Sequence, residues 1–260
     1  MPHQQDRSNA ADTATPHSTA VQKQPYAGQR IALVGGASRL GKAVALTLAE
    51  LGADIAVAGR NQHTLDEVAA RAPGRTTTYT VDISDTDSIR RFGDSVGALD
   101  HLVYTVSMHA TGRLFDLTDT DIERSVDAKV LGPLRIVRAT LPSIAPRGSF
   151  TFFSGQAAWR PTPGGIVTAT VNGALAVAVK AMALELAPIR VNAIAPGVVD
   201  SGALDSLGDR KAQILSEVAE RNPVGRVGNP EDIVPAVLML LSNTYITGSV
   251  LHVDGGGSLR

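Results

Sequence analysis

The run IALV ends in Val34-Gly35-Gly36-Ala37-Ser38-Arg39-Leu40-Gly41 and passes directly into the helix-forming run KAVALTLAELG. Glycines between a strand and a helix let backbone amides and the positive helix end face a pyrophosphate, although a plain tight turn uses the same residues. Tyr104 closes another strand-like run, HLVYTV, where a phenol could donate a proton at a crevice or pack into a core. His109 follows in the next loop and titrates near neutrality, as a surface histidine also would. The chain has no cysteine, which excludes disulfides and thiolate chemistry.

These groups need a scaffold, and the order of apolar runs supplies one. Seven short strand-like runs, IALV, DIAVAG, TTTYTV, HLVYTV, SFTFF, RVNAIA and SVLHV, alternate with segments of helical spacing such as Val44, Leu46, Leu48 and Leu51. Strict alternation predicts right-handed crossovers and an α/β fold, a Rossmann-type doubly wound, parallel seven-stranded sheet with helices on both faces. At 260 residues and 43% hydrophobic content, one such domain is expected over residues 29–260, behind a flexible polar tail at residues 1–28.

A net charge of -1, from 24 basic and 25 acidic residues, leaves no electrostatic footprint for nucleic acid or an anionic membrane. No stretch reaches the roughly 20 apolar residues that span a bilayer, since Lys180 and Glu185 interrupt the Ala-rich segment from Gly173 to Leu186. A small-molecule binder of the cytoplasm is expected, in keeping with the missing cysteines, and no metal site.

From Ile31 to Gly256 the chain resembles the short-chain dehydrogenase/reductase family, whose fingerprint reads T-G-x-x-x-G-x-G. Gly35 and Gly41 match its first and last glycines without a gap, while Val34 replaces the threonine and Arg39 the middle glycine. Asp82-Ile83 after the third strand, Pro196-Gly197 after the sixth, and the closing NPVGRVGNPEDI...ITGSVLHVDGG add ordered landmarks. The resemblance implies a dinucleotide held by Gly35, Ser38, Arg39, Leu40, Gly41, Asp82, Ile83, Thr105, Pro196, Gly197, Val199 and Ser201.

The position that is acidic in NAD-preferring members is Gly59 here, so no carboxylate receives a ribose 2'-hydroxyl. Arg60 follows it, and with Arg39 offers two guanidinium forks to a 2'-phosphate; NADP (NADPH) is therefore expected over NAD. A solvated turn is the alternative use of both arginines.

The family's catalytic set is a Ser, a Y-x-x-x-K pair and an Asn from an earlier helix. Ungapped alignment of SGQAAWRPTPGGIVTATVNGAL puts Gly155 at the serine, Thr168 at the tyrosine and Asn172 at the lysine, while SVDAKVLGPL puts Lys129 at the asparagine. A threonine hydroxyl is far less acidic than a phenol, and asparagine carries no charge to activate it. The ordinary proton relay is thus excluded from these positions. Lys129 is the one replacement that adds a titratable group, and the resemblance places it inside the pocket rather than in solvent. Ser154, one residue before the serine position, is expected on the opposite face of its strand.

Three functions follow: an NADP-dependent oxidoreductase acting on a small carbonyl, alcohol or activated C=C or C=N bond with a non-standard proton donor; a non-redox cyclase or dehydratase; or a cofactor-binding regulator without turnover. Residues 200–221 resemble the family's substrate lid and name no substrate. The helix from Asn172 to Leu186 is apolar nearly all round, which predicts a homodimer or homotetramer with help from the helix around Val126 to Leu141.

Overall fold

The alternation of runs becomes seven parallel strands in the order β3-β2-β1-β4-β5-β6-β7. The structure, a computed structural model, describes residues 24–260 except Ser38, His109, Ala203, Leu204, Ser206 and Leu207. The roles expected for Ser38 and His109 lie outside the described residues. The strands are β1 (Arg30–Val34), β2 (Asp54–Gly59), β3 (Thr76–Thr80), β4 (Leu99–Tyr104), β5 (Ile144–Phe153), β6 (Arg190–Pro196) and β7 (Val250–Val253). The helices are α1 (Arg39–Glu50), α2 (Gln62–Arg71), α3 (Thr86–Ser95), α4 (Asp119–Val126), α5 (Gly132–Thr140), α6 (Ile166–Glu185), α7 (Arg210–Arg221) and α8 (Pro230–Ser242).

The near-continuous apolar runs of β1, β2 and β4 to β6 reflect burial on both faces. On one face Ile89 and Phe92 of α3, Ile136 of α5, and Leu175 and Val179 of α6 pack on the sheet. On the other, Val44 and Leu48 of α1, Leu65 of α2, and Ile233 and Val237 of α8 do so. Strand order reverses between β1 and β4, which opens a crevice at their carboxyl ends.

Two expectations are corrected here. The tail does not run to residue 28: Tyr26 is buried among α1 and α8 residues, and its hydroxyl donates to the Leu238 carbonyl at 3.0 Å. The sequence hides this because one aromatic in a polar segment has no periodicity. Residues 1–23 lie outside the described residues. Secondly, α6 is long and apolar enough by composition to cross a membrane, despite Lys180 and Glu185. It is nonetheless a layer of this domain, since Val167, Val171, Leu175, Val179 and Met182 form a buried inner stripe.

Removing a buried aromatic costs its transfer energy plus that of the cavity left behind. Tyr26→Ala should therefore lower unfolding stability by about 3 kcal/mol. The check is a drop in the urea midpoint with the slope unchanged.

Candidate active site

The first βα turn is shaped by exclusion. Gly35 has φ +87°, and a Cβ there would meet the Thr105 hydroxyl oxygen and the Val106 side chain. A Cβ at Gly41 would strike the Gly35 carbonyl, so only glycine lets α1 begin this close to the loop. Arg39 keeps glycine's backbone at the position where the family has glycine: its φ is +50°, a left-handed conformation that costs a non-glycine residue about 1 kcal/mol. Leu40 anchors the turn by packing on the α1 side of the core.

The other expected cofactor residues surround this turn. Thr105 donates through its backbone N–H to the Val34 carbonyl at 2.9 Å. Asp82, at the end of β3, accepts from the Ser84 hydroxyl at 2.7 Å and backbone at 2.9 Å; these bonds, with nearby Arg60, hold its carboxyl below the usual range. Asp85 caps α3 through the Asp87 N–H, and Ile83 packs against the core. Arg60 and Arg39 are both exposed, at the carboxyl end of β2 and the start of α1. Pro196 ends β6, the Gly197 N–H donates to Val253, and a Cβ at Gly197 would press on Asp254. Val199 packs on the core and accepts from the Ser201 N–H at 3.0 Å. The described residues thus suit a dinucleotide: a turn where glycines at 35 and 41 clear the backbone at a helix start, with exposed arginines at the start of α1 and at the end of β2.

Of the four expected catalytic residues, two are brought to the end of β5. Lys129 is 2% exposed, and its Nζ donates to the Phe153 carbonyl at 2.5 Å and lies 3.4 Å from that of Ser154. Burial pushes its ammonium down from the usual lysine range to about 7. Asn172 is equally buried, with Nδ2 3.0 Å from where a Gly155 Cβ would stand and Oδ1 without a partner. Lysine and asparagine have therefore exchanged helices relative to the family pattern and still meet at one strand end. Serine at 155 would crowd Asn172.

The remaining candidates lie elsewhere. Thr168 is half-buried and its hydroxyl reaches the Ala110 carbonyl only at 3.4 Å. Ser154, expected on the opposite face, instead turns its hydroxyl towards α6 and donates to the Asn172 carbonyl at 3.0 Å. Tyr104 as proton donor is corrected: it is fully buried, stacks obliquely on Phe152, and donates to the Ala128 carbonyl at 2.8 Å. Burial drives its phenol far above the usual range, so it yields no proton near neutrality.

What sequence reasoning missed is how Lys129 gets inside. Between α4 and α5, residues Asp127–Leu131 form a π-bulge, and the Gly132 N–H bonds the Asp127 carbonyl five residues back. Pro133, four residues after Lys129 in a helical pattern, was the available signal.

A family model described as Enoyl-(Acyl carrier protein) reductase matches residues 35–258. The short-chain dehydrogenase/reductase ATR9 of Stachybotrys chlorohalonatus is 31% identical over 90% of this chain and 98% of its own. The chain belongs to the short-chain dehydrogenase/reductase family. Among solved structures, the MalC Reductase/Diels-Alderase from Malbranchea aurantiaca aligns with TM-score 0.85 at 25% identity, over 92% of this chain and 99% of that one. An NADPH-bound short chain oxidoreductase from Pseudomonas aeruginosa PAO1, described as containing an atypical catalytic center, aligns with TM-score 0.82 at 26% identity over 89% and 98%. This short-chain dehydrogenase/reductase shares their seven-stranded architecture.

A lysine that titrates near 7 folded and near 10.4 unfolded leaves the unfolded chain holding more protons between those values, so stability must rise with pH across that window. Unfolding free energy measured from pH 6.5 to 9.5 should climb, by an amount on the order of kilocalories per mole, more in the unmodified protein than in Lys129→Met.

Proposed function

We propose that the protein is a soluble, cytoplasmic NADP-dependent oxidoreductase that reduces a small carbonyl or an activated C=C or C=N bond, with Lys129 supplying the proton that tyrosine supplies in its relatives. The observation that carries this is the buried Lys129 amine at the carboxyl end of β5. Bound NADPH supplies hydride. Gly35, Gly41 and Thr105 would shape the pyrophosphate site, Arg39 and Arg60 the 2'-phosphate site, Asp82 and Ile83 the adenine side, and Pro196 to Ser201 the nicotinamide side. The helix α7, none of whose residues is buried, would form part of the lid.

Reduction adds hydride to carbon and a proton to the heteroatom or neighbouring carbon. An ammonium poised near 7 is a suitable acid, because it carries a proton at working pH and gives it up readily. Asn172 would border the reacting group with its unpartnered Oδ1 acceptor, and Thr168 stands apart from it. Turnover in the reductive direction should fall as pH rises through about 7, since the donor form is the ammonium. Following nicotinamide absorbance over ketones, enones and imines checks this. Lys129→Ala should cost roughly 10²–10⁴-fold in kcat, and Thr168→Val less than tenfold. If Thr168→Val is the more damaging change, the lysine assignment fails.

Gly59 lies 3.6 Å or more from its neighbours through a built Cβ, so a side chain is tolerated there. The double change Gly59→Asp with Arg60→Ala should reverse the preference for NADPH over NADH, read by fluorescence titration.

A non-redox reaction in the same crevice is the second reading, favoured by the lost tyrosine and by likeness to a reductase that is also a Diels-Alderase. Product formed without NADPH oxidation would select it. NADPH binding without product would select a regulatory protein.

The same reading includes a homodimer or homotetramer. Ile166, Val177 and Leu184 form an exposed stripe on α6, with Val177 68% and Leu184 85% accessible, and Leu131 and Leu134 lie exposed on the bulge and on α5. A two-fold axis would cover them with their own copies. Light scattering of Val177→Asp should show dissociation at micromolar concentration; a monomeric unmodified protein would refute the interface.

A further inference from the structure

The π-bulge leaves one carbonyl in difficulty. In a regular helix Ala128 would accept from the Gly132 N–H, but that N–H bonds Asp127. The next donor in the bulge pattern would be residue 133, a proline, which has none. Ala128 is fully buried, so no solvent replaces the bond. The Tyr104 hydroxyl fills this vacancy, reaching from the end of β4 at 2.8 Å. Its approach requires the absence of a side chain at Gly132, where a Cβ would strike the phenolic oxygen. On the other flank, Asp127 is tied to Arg135 at 3.0 Å across the bulge.

We infer that Tyr104 is a positioning residue for the reaction: by satisfying the Ala128 carbonyl it holds open the one-residue bulge that turns the adjacent Lys129 inward onto the end of β5. The assignment rests on the reading of Lys129 as proton donor. Tyr104, Gly132, Pro133 and Lys129 form one device: proline and the wide turn create the orphan carbonyl, glycine admits the phenol, and the phenol supplies the donor. Without it, closing Gly132 N–H onto Ala128 in the ordinary helical pattern would rotate Lys129 away from Phe153.

The test is the titration of Lys129 itself, by NMR on full-length protein carrying 13C at lysine Cε, with the signal assigned through Lys129→Met. The unmodified protein should show a midpoint near 7. Tyr104→Phe, which removes one oxygen, should move it upward by about one pH unit or more as the amine gains water. Adding Pro133→Ala to Tyr104→Phe returns an N–H to the bulge and should bring the midpoint back, a rescue that loss of ring packing alone would not allow. An unchanged midpoint in folded Tyr104→Phe overturns the positioning role and leaves the Lys129 reading intact. A midpoint near the ordinary lysine value in the unmodified protein overturns both. If Tyr104→Phe does not fold, the double variant decides: folding with a midpoint near 7 supports the inference, and failure to fold or a raised midpoint overturns it.

Discussion

Helices cover both faces of the sheet, so polar chemistry is confined to the strand ends. Within the layers a polar group must find an internal partner or bear the cost of lost water. Among the described residues, those expected to hold the cofactor open α1 or lie at or just past the ends of β1, β2, β3, β4 and β6. The same constraint governs the opposite end, where Arg190 enters β6 buried and spends its guanidinium on the Leu240 and Leu241 carbonyls at the end of α8. There His101, against Ser149 at 2.8 Å, is held down to about 4 by burial and by Arg190, so it stays neutral.

Among the described residues Lys129 meets two carbonyl oxygens and no carboxylate, so its proton is held weakly. The family's set, as the resemblance implies, uses a phenol beside a lysine; in the proposed reaction the acid would instead be an ammonium whose proton is loosened by burial.

The fold was readable because its signals are repeated: seven short strand-like runs, most of them apolar, separated by segments of helical spacing. Landmarks such as Gly35, Gly41 and Pro196-Gly197 were readable because backbone proximity leaves only certain residues possible. Tyr104 was not, since a phenol at a strand end has the same appearance whether it faces a ligand or an orphan carbonyl 24 residues further along the chain. Tyr26 escaped for a related reason, being a single contact made by a segment with no pattern of its own. Lys129 was legible as a position and not as a geometry, because alignment presumes an unbroken helix and the proline that breaks it acts backwards along the chain.

A π-bulge is, in effect, one residue more than the helix needs. Each residue advances an α-helix by roughly 100°, so the segments on either side of Asp127–Leu131 are phased independently: α4 presents its faces in one register and α5 in another. Deleting a single residue within the bulge would bring the two helices into one phase. A chain history in which this helix gained or lost one codon would therefore pass between an inward and an outward lysine in a single step, with the strands and the glycine turn untouched.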